Sequence, residues 1–166
     1  MRKVKFQELS YEKFSKYGTF KNMINPDGEK LGEEPAEFYR DLIQLDIGLF
    51  TTASFSITRI KKRPPVIDAM EYHHNSGELN LPLDGDVLLQ VAPATAEPIC
   101  PTDKIEVFRI PKGTAVSLRR GVWHLGPYVY NCELANVVVG VQERAYAEDC
   151  FMYQIPEEQQ VIIDYD

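Results

Sequence analysis

A succession of short segments with high β-propensity is the feature that most constrains how this chain folds. From Thr51 onward, β-branched and aromatic residues recur in segments that are bounded by Pro, Gly and Asp. The predicted strands are residues 51–60, 66–73, 78–83, 87–91, 105–110, 115–118, 134–142 and 151–154. Many short strands without intervening helices predict a mainly β protein, built as an antiparallel sandwich or barrel.

Turn and helix signals complete the predicted topology. Ser10 can cap a short helix over residues 9–17, and Gly18 suits the left-handed position after its last turn. Residues 21–38 are rich in Asn, Pro, Gly and Glu and predict an exposed connection. The Asp84-Gly85 pair favours a tight type I′ hairpin turn between the strands on either side of it.

The chain length of 166 residues fits one domain that buries a continuous core without disulfides. We predict an N-terminal helix and connecting segment over residues 1–50, a barrel core over 51–155, and a C-terminal extension over 156–166. The longest break in the β-rich part, residues 92–104, is too short to divide two domains.

Charge and segment composition exclude several classes of protein. Eighteen basic against 25 acidic residues give 18 − 25 = −7, which opposes nucleic acid or an anionic membrane as the main partner. The basic start lacks an apolar stretch behind it, and no run of about 18 apolar residues follows, so we expect neither a signal peptide nor a membrane span. Three cysteines without C-x-x-C spacing predict no disulfide framework and no thiolate zinc site. These features predict a cytoplasmic protein.

All three histidines of the chain lie in two motifs. His73 and His74 precede Glu78, and Gly85 follows that glutamate by seven positions, so the stretch has the form H-x(3 or 4)-E-x6-G. Imidazole and carboxylate groups both suit Zn, Mn, Fe or Ni, and the same groups serve as acids and bases. The motif therefore predicts a metal or substrate site.

The third histidine closes a second motif, Gly113-x5-Arg119-x-Gly121-x2-His124. Together the two motifs resemble those of the cupin superfamily, in which His and Glu side chains converge inside a small barrel. The resemblance implies an antiparallel double-stranded β-helix, a jelly-roll-like barrel, with a short N-terminal helix in front of it. In the second motif, Arg119 stands at the position of the family's proline, and Tyr128 stands at the position of its final asparagine.

Strand alternation leaves two candidate site sets open. Glu71 and His73 share one face of a strand, and Tyr72 and His74 share the other. The two sets are Glu71, His73, Glu78 and His124, or His74, Glu78 and His124 with the Tyr72 phenol nearby.

Several short matches narrow the resemblance to one family. The matching pieces are Phe14-x-x-Tyr17-Gly18, Tyr39-x-Asp41-Leu42, Ser56-Ile57-x-Arg59, Glu71-x-His73, Pro82-x-x-Gly85, Gly121-Val122-Trp123-His124 in part, and Cys150-x4-Ile155-Pro156-Glu157. In this order along the chain they resemble ureidoglycolate lyase, the cupin enzyme of allantoin breakdown that splits ureidoglycolate into glyoxylate and urea. The family's E-x-H pattern favours Glu71 and His73 as the inward pair.

The chain also departs from the family pattern at three positions. Glu78 replaces a glutamine, Arg119 replaces a histidine, and Leu125 replaces a second histidine after the Trp-His pair. The loss of two polar candidates and the gain of a carboxylate indicate a changed substrate. The fold is expected to transfer more safely than the activity.

The resemblance implies a carbon-nitrogen lyase with a base and an acid at the site. We predict His124, Glu78 and His73 as catalytic residues, and Glu71, His73, Glu78 and His124 as ligands of one divalent ion, Zn, Ni, Mn or Fe. The residues predicted to bind a carboxylate substrate or to line its site are Arg59, Arg119, Arg120, Tyr39 and Trp123.

Two alternative functions and one assembly state follow from the same residues. A metal-dependent cupin isomerase or dioxygenase acting on another small acid or sugar is favoured by Glu78, and a non-catalytic module that binds a small carboxylate is the third reading. Because barrels with an exposed apolar sheet commonly pair, we expect a homodimer.

Overall fold

Two β-sheets face each other across a shared apolar core in the computed structural model, which describes residues 1–165. The strands are β1 (Arg2–Glu8), β2 (Gly18–Asn22), β3 (Lys30–Leu31), β4 (Phe38–Tyr39), β5 (Ala53–Lys61), β6 (Val66–Ile67), β7 (Ala69–Tyr72), β8 (Glu78–Pro82), β9 (Val87–Ala92), β10 (Glu106–Ile110), β11 (Thr114–Leu118), β12 (Trp123–His124), β13 (Tyr128–Val129), β14 (Leu134–Gln142), β15 (Phe151–Gln154) and β16 (Val161–Asp164). The helices are α1 (Tyr11–Phe14), α2 (Ala145–Glu148) and the 3₁₀ turns Thr102–Lys104 and Glu157–Gln159.

The larger sheet has the strand order β15-β7-β12-β9-β10-β1-β16-β6, with β13 also paired to β9. The smaller sheet has the order β2-β11-β8-β14-β5, and β3 and β4 form a separate ribbon. Pairing is antiparallel except that β1 runs parallel to both β10 and β16. This architecture is the predicted mainly β, jelly-roll-like barrel with a short N-terminal helix.

Apolar side chains from both sheets meet between them. Leu89 and Phe108 of the larger sheet and Val116 and Val137 of the smaller one belong to the same buried cluster. Phe14 of α1 joins this cluster with no exposed surface. The helix therefore packs against the core rather than lying apart from it.

All eight predicted strand segments contain strand structure, although the segment at 66–73 is broken into β6 and β7. Several strands were missed because their apolar signal is short: in β1, for example, only Val4 and Phe6 are apolar, and every exposed position carries a charge. Strands from outside residues 51–155 join both sheets, since β2 pairs with β11 and β1 with β10.

The predicted N-terminal helix is real but shorter than expected. Ser10 caps it by accepting a hydrogen bond from the backbone N–H of Lys13. The role assigned to Gly18 was wrong, because this residue begins β2 and has no left-handed backbone. The absence of a side chain there serves a close approach instead: a Cβ atom on Gly18 would lie 2.0 Å from the carbonyl oxygen of Ser117.

The predicted hairpin at Asp84-Gly85 was also wrong. β8 pairs with β11 and β14, whereas β9 belongs to the other sheet, so the connection crosses from one sheet to the other. Neither Asp84 nor Gly85 has the positive φ that a type I′ turn requires. Within residues 1–165, the helices are all too short or too polar to span a bilayer.

Candidate active site

Three neighbouring strands bring the motif residues together inside the barrel. Glu71 of β7 lies directly opposite His124 of β12 in the larger sheet. His73 follows the end of β7, and Glu78 begins β8 in the facing sheet. The four side chains form one group, in which a ligand atom of each lies within 4.8 Å of the others.

Glu78 is the centre of this group. Its Oε2 atom lies 2.9 Å from Nε2 of His73 and 3.3 Å from Nε2 of His124. The His124 nitrogen is outside hydrogen-bond geometry and is buried without a hydrogen-bond partner. Glu78, His73 and His124 are all buried, whereas Glu71 is half-buried and lies toward the solvent side of the group.

Backbone carbonyls orient both imidazoles. Nδ1 of His73 lies 2.6 Å from the carbonyl oxygen of Asp149, and Nδ1 of His124 lies 2.8 Å from that of Val122. Since a carbonyl oxygen only accepts, each Nδ1 must carry the proton and donate it. Both Nε2 atoms are thereby directed toward Glu78.

The electrostatics of the group depend on this pairing. Burial opposes protonation of His124, but the Glu78 carboxylate outweighs burial and raises the pKa of His124 to about 9. Burial also opposes the charge of His73, and the hydrogen bond to Glu78 likewise leaves its pKa raised. Burial alone would raise the pKa of Glu78, yet His124 and His73 together hold it well below its ordinary value. A protein without metal therefore holds an anionic carboxylate against protonated imidazole.

Three residues that were not predicted from the sequence support the group. The Asn80 amide donates to Oε1 of Glu78 at 2.8 Å, and strand alternation from Glu78 would have indicated this contact. Asp149 binds His73, and the Cys150 thiol donates to Oε2 of Glu71 at 2.7 Å. Asp149 lies 76 positions after His73, and Cys150 lies 79 positions after Glu71, so no local pattern could have indicated these contacts. Partial burial of the thiol and its hydrogen bond to the Glu71 carboxylate raise the pKa of Cys150 to about 12, so the thiol keeps the donated proton.

The alternative pair lies outside the group. The Tyr72 ring is stacked on Phe151 and packs edge-on against Trp123. Trp123 belongs with Met70 and Leu88 to a second apolar cluster, against which Tyr72 packs. The His74 side chain is exposed. The structure thus places the Glu71 and His73 pair, and not the Tyr72 and His74 pair, with Glu78.

The side chains predicted to bind substrate are engaged elsewhere. Arg119 donates to the carbonyl oxygen of Ser15, and Tyr39 donates to Glu37. Arg120 donates both Nε and a terminal nitrogen to the carboxylate of Asp46. Both arginines are exposed, so neither turns into the barrel, although alternation along the chain predicts that one of the two would.

Two of the residues predicted to contact the substrate, Arg59 and Trp123, have side chains on the strand faces that point away from the site. Arg59 donates to Asn136, on the face of the smaller sheet opposite to that of Asn80, because Val139 and not Asn136 shares the face of Asn80. Trp123 points away from His124 into the second apolar cluster, where its indole N–H donates to Thr95. Alternation along each strand is the physical reason in both cases.

The second motif positions His124 through a glycine turn. Gly121 has a φ of +75°, and its backbone N–H donates to the carbonyl oxygen of His73 at 2.8 Å. This turn therefore connects the two histidines through the backbone, two residues before β12 begins.

We expect Gly121→Ala to destabilise the fold by about 1 to 2 kcal/mol, since the left-handed region costs a residue with a Cβ atom roughly that much. Urea unfolding measures the change. Gly126→Ala is the matched control, because Gly126 lacks a positive φ and a Cβ there would meet only Thr58, at 3.9 Å. Equal stabilities for the two variants would contradict the assignment of strain to Gly121.

The donor set fits a divalent metal ion. Two imidazole Nε2 atoms and two carboxylates are the ligands that Zn, Mn, Fe and Ni accept, and the unpartnered Nε2 of His124 is directed at Glu78. The remaining imidazole nitrogens donate to backbone carbonyls, as those of metal-bound histidines do. His73, Glu78 and His124, with Glu71 on the open side, would hold the ion.

Two facing sheets with a His and Glu group between them define a cupin. The chain matches the model of the ureidoglycolate lyase family over residues 1–162. It therefore belongs to the ureidoglycolate lyase family, a family of enzymes.

Other comparisons find more distant likenesses. Oxalate decarboxylase of Bacillus subtilis, studied for its Mn(II) centres, has a TM-score of 0.44 and 13% identity, covering 62% of this chain and 24% of that one. The chain thus spans about a quarter of the length of that relative. A dTDP sugar isomerase from Desulfovibrio desulfuricans G20 has a TM-score of 0.49 and 11% identity, covering 85% of each chain. No curated protein matches the chain significantly.

Proposed function

We propose that the protein releases urea and glyoxylate from ureidoglycolate, or cleaves the carbon-nitrogen bond of a closely similar small hydroxy acid. The observation that carries the proposal is the buried group of Glu71, His73, Glu78 and His124 in a chain that matches the lyase family over residues 1–162. This reaction is a step of allantoin degradation, and a cytoplasmic location stays a prediction.

The chemistry requires one base and one acid. The substrate hydroxyl loses its proton as the carbon-nitrogen bond breaks, and the departing ureido nitrogen gains a proton. His124 and Glu78 are assigned these two roles, and each role typically contributes about 10²- to 10⁴-fold to the rate. A divalent ion held by the four side chains would favour loss of the hydroxyl proton through its positive charge.

Electrostatics divide the roles between the two residues. Glu78 is ionised, as a base must be, because the two imidazoles hold its pKa low. In the metal-free protein His124, whose pKa is raised, can donate from Nε2 to the nitrogen that leaves. With an ion bound to Nε2, His124 would be a ligand and would carry no proton there. Asn80 and His73 keep Glu78 in place by donating to its two oxygens.

Urea release from ureidoglycolate is the direct test. We expect turnover by the purified protein, reduced by chelation and restored by one of Zn²⁺, Mn²⁺, Ni²⁺ or Fe²⁺. Elemental analysis of protein purified without added metal measures the resident ion. Absence of urea release under every metal condition would contradict the lyase proposal.

A second function is favoured by Glu78 itself. Its carboxylate completes a His, Glu and His ligand set where the family pattern has glutamine, which supports a metal-dependent isomerase or dioxygenase acting on another small acid or sugar. Turnover of such a compound without urea release would establish it. Stabilisation by a carboxylate ligand with no turnover would instead indicate a binding module.

We also propose that two copies pair through the smaller sheet. β5 is nine residues long and forms an edge of that sheet, and its outward side chains Phe55 and Ile57 are 64% and 55% exposed. A long edge strand with exposed apolar residues favours pairing with another chain. The Phe55 ring also packs over Gly140 of β14, which widens the apolar surface.

Pairing through β5 predicts that Phe55→Lys combined with Ile57→Lys converts a dimer to a monomer, because two charges would be desolvated at the interface. Sedimentation equilibrium measures the molar mass. Leu49→Lys is the control, since Leu49 is fully exposed and lies outside the sheets. A monomeric wild type, or a double variant that still dimerises, would contradict the assignment of the dimer interface to β5.

A further inference from the structure

The dipeptide Asp149-Cys150, which lies between α2 and β15, contacts the group of four from outside. Asp149 has no exposed surface, although it is a polar residue in a loop. Its carboxylate accepts hydrogen bonds from the backbone N–H groups of His74 at 2.8 Å and Asn75 at 2.9 Å. These bonds fasten the dipeptide to the turn that follows β7.

The same dipeptide reaches two members of the group. The carbonyl oxygen of Asp149 accepts from Nδ1 of His73 at 2.6 Å, and the Cys150 thiol donates to Oε2 of Glu71 at 2.7 Å. The Asp149 carboxylate restrains where that carbonyl lies, because its two hydrogen bonds tie the same residue to the backbone of His74 and Asn75. One short segment therefore orients both residues of the Glu71-x-His73 motif.

We propose that Asp149 and Cys150 are positioning residues, which hold His73 and Glu71 in the geometry that binds one divalent ion. The inference rests on the metal-dependent function proposed above. Partners of this kind fix the ring orientation and ionisation state of a ligand, and their loss typically weakens metal binding by about 10- to 100-fold. Neither residue touches the reacting atoms in this role.

The metal-free protein gives the first test. The Nδ1 proton of His73, buried and bonded to a carbonyl oxygen, should give a protected downfield proton resonance, and His124 should give another through Val122. In Asp149→Ala the His73 resonance should be lost while the His124 resonance persists. Retention of both resonances would overturn the role of Asp149.

Metal binding gives the second test, with Zn²⁺ and Co²⁺ as probes. We expect Zn²⁺ affinity to fall by about 10- to 100-fold in Asp149→Ala, with a changed Co²⁺ absorption spectrum. Glu148→Ala is the matched control, because that neighbouring carboxylate is exposed and pairs with Arg144. Equal affinities and spectra for the two variants would overturn the proposal.

Cys150 supplies a variant that leaves the core intact, since its residue is exposed. Cys150→Ala should weaken Zn²⁺ binding and alter the Co²⁺ spectrum, whereas Cys150→Ser, which retains a donor, should restore both. Unchanged binding in Cys150→Ala would overturn the role of the thiol. If the wild type bound neither ion, the proposed metal function would fail, and the His73 resonance would still decide the positioning role of Asp149.

Discussion

Replacing His124 by alanine is expected to lower turnover by about 10²- to 10⁴-fold, the usual contribution of one acid or base. The residue is 2% exposed, its Nδ1 is fixed by Val122, and its Nε2 points at Glu78. No other imidazole is oriented to replace it, because His73 is bonded to Asp149 and Glu78. The measurement is kcat for urea release, with circular dichroism confirming the fold.

His74→Ala is the matched control for this prediction. His74 is exposed, and only its backbone N–H is bonded, to Asp149. This variant should retain wild-type turnover, and the metal content of both variants separates the loss of a proton donor from the loss of a ligand. Undiminished turnover in His124→Ala would end the assignment.

Replacing Glu78 by glutamine should weaken binding of a divalent ion by at least about 100-fold, because a neutral amide replaces the carboxylate to which both imidazoles point. The change nearly conserves volume, so packing around β8 should persist. Isothermal titration with Zn²⁺ measures the affinity, and Glu148→Gln is the control on an exposed carboxylate. Wild-type affinity in Glu78→Gln would show that Glu78 is no ligand.

The same variant should change how the metal-free protein responds to pH. In the wild type, the pKa of His124 is raised from 6.5 to about 9, so its contribution to stability is complete below 6.5 and is lost as pH rises through about 9. Without the Glu78 charge this raised pKa disappears, and the alkaline loss of stability should disappear with it. Thermal unfolding across this pH range measures the difference. An unchanged profile would contradict the coupling of His124 to Glu78.

Local sequence patterns correctly predicted strand structure in all eight segments proposed for it, because alternation depends on neighbouring residues, although several other strands were missed. The period-2 alternation in β14 places Val137 in the core, and the predicted bounds 134–142 match the strand. The prediction of a hairpin at Asp84-Gly85 was wrong, because turn residues do not determine whether the next strand joins the same sheet. That choice is made by β9, which pairs with β10 rather than with β8.

The residues of the candidate site were predicted from the sequence in part. Motif spacing indicated Glu71, His73, Glu78 and His124 as one possible set, and the structure places these four together. Arg59, Arg119 and Arg120 do not lie in the site, because each guanidinium donates hydrogen bonds to an acceptor elsewhere in the fold. Arg120 has Asp46 as its acceptor, 74 positions away in sequence.

By itself, the sequence determined the β-rich architecture and the two motifs, since periodicity, turn residues and ligand spacing are properties of adjacent positions. Only the tertiary structure decided which face of β7 enters the barrel and which residues orient the imidazoles. Asp149 and Cys150 reach His73 and Glu71 from 76 and 79 positions away. Contacts over such separations arise only when packing of the two sheets sets the path of the chain.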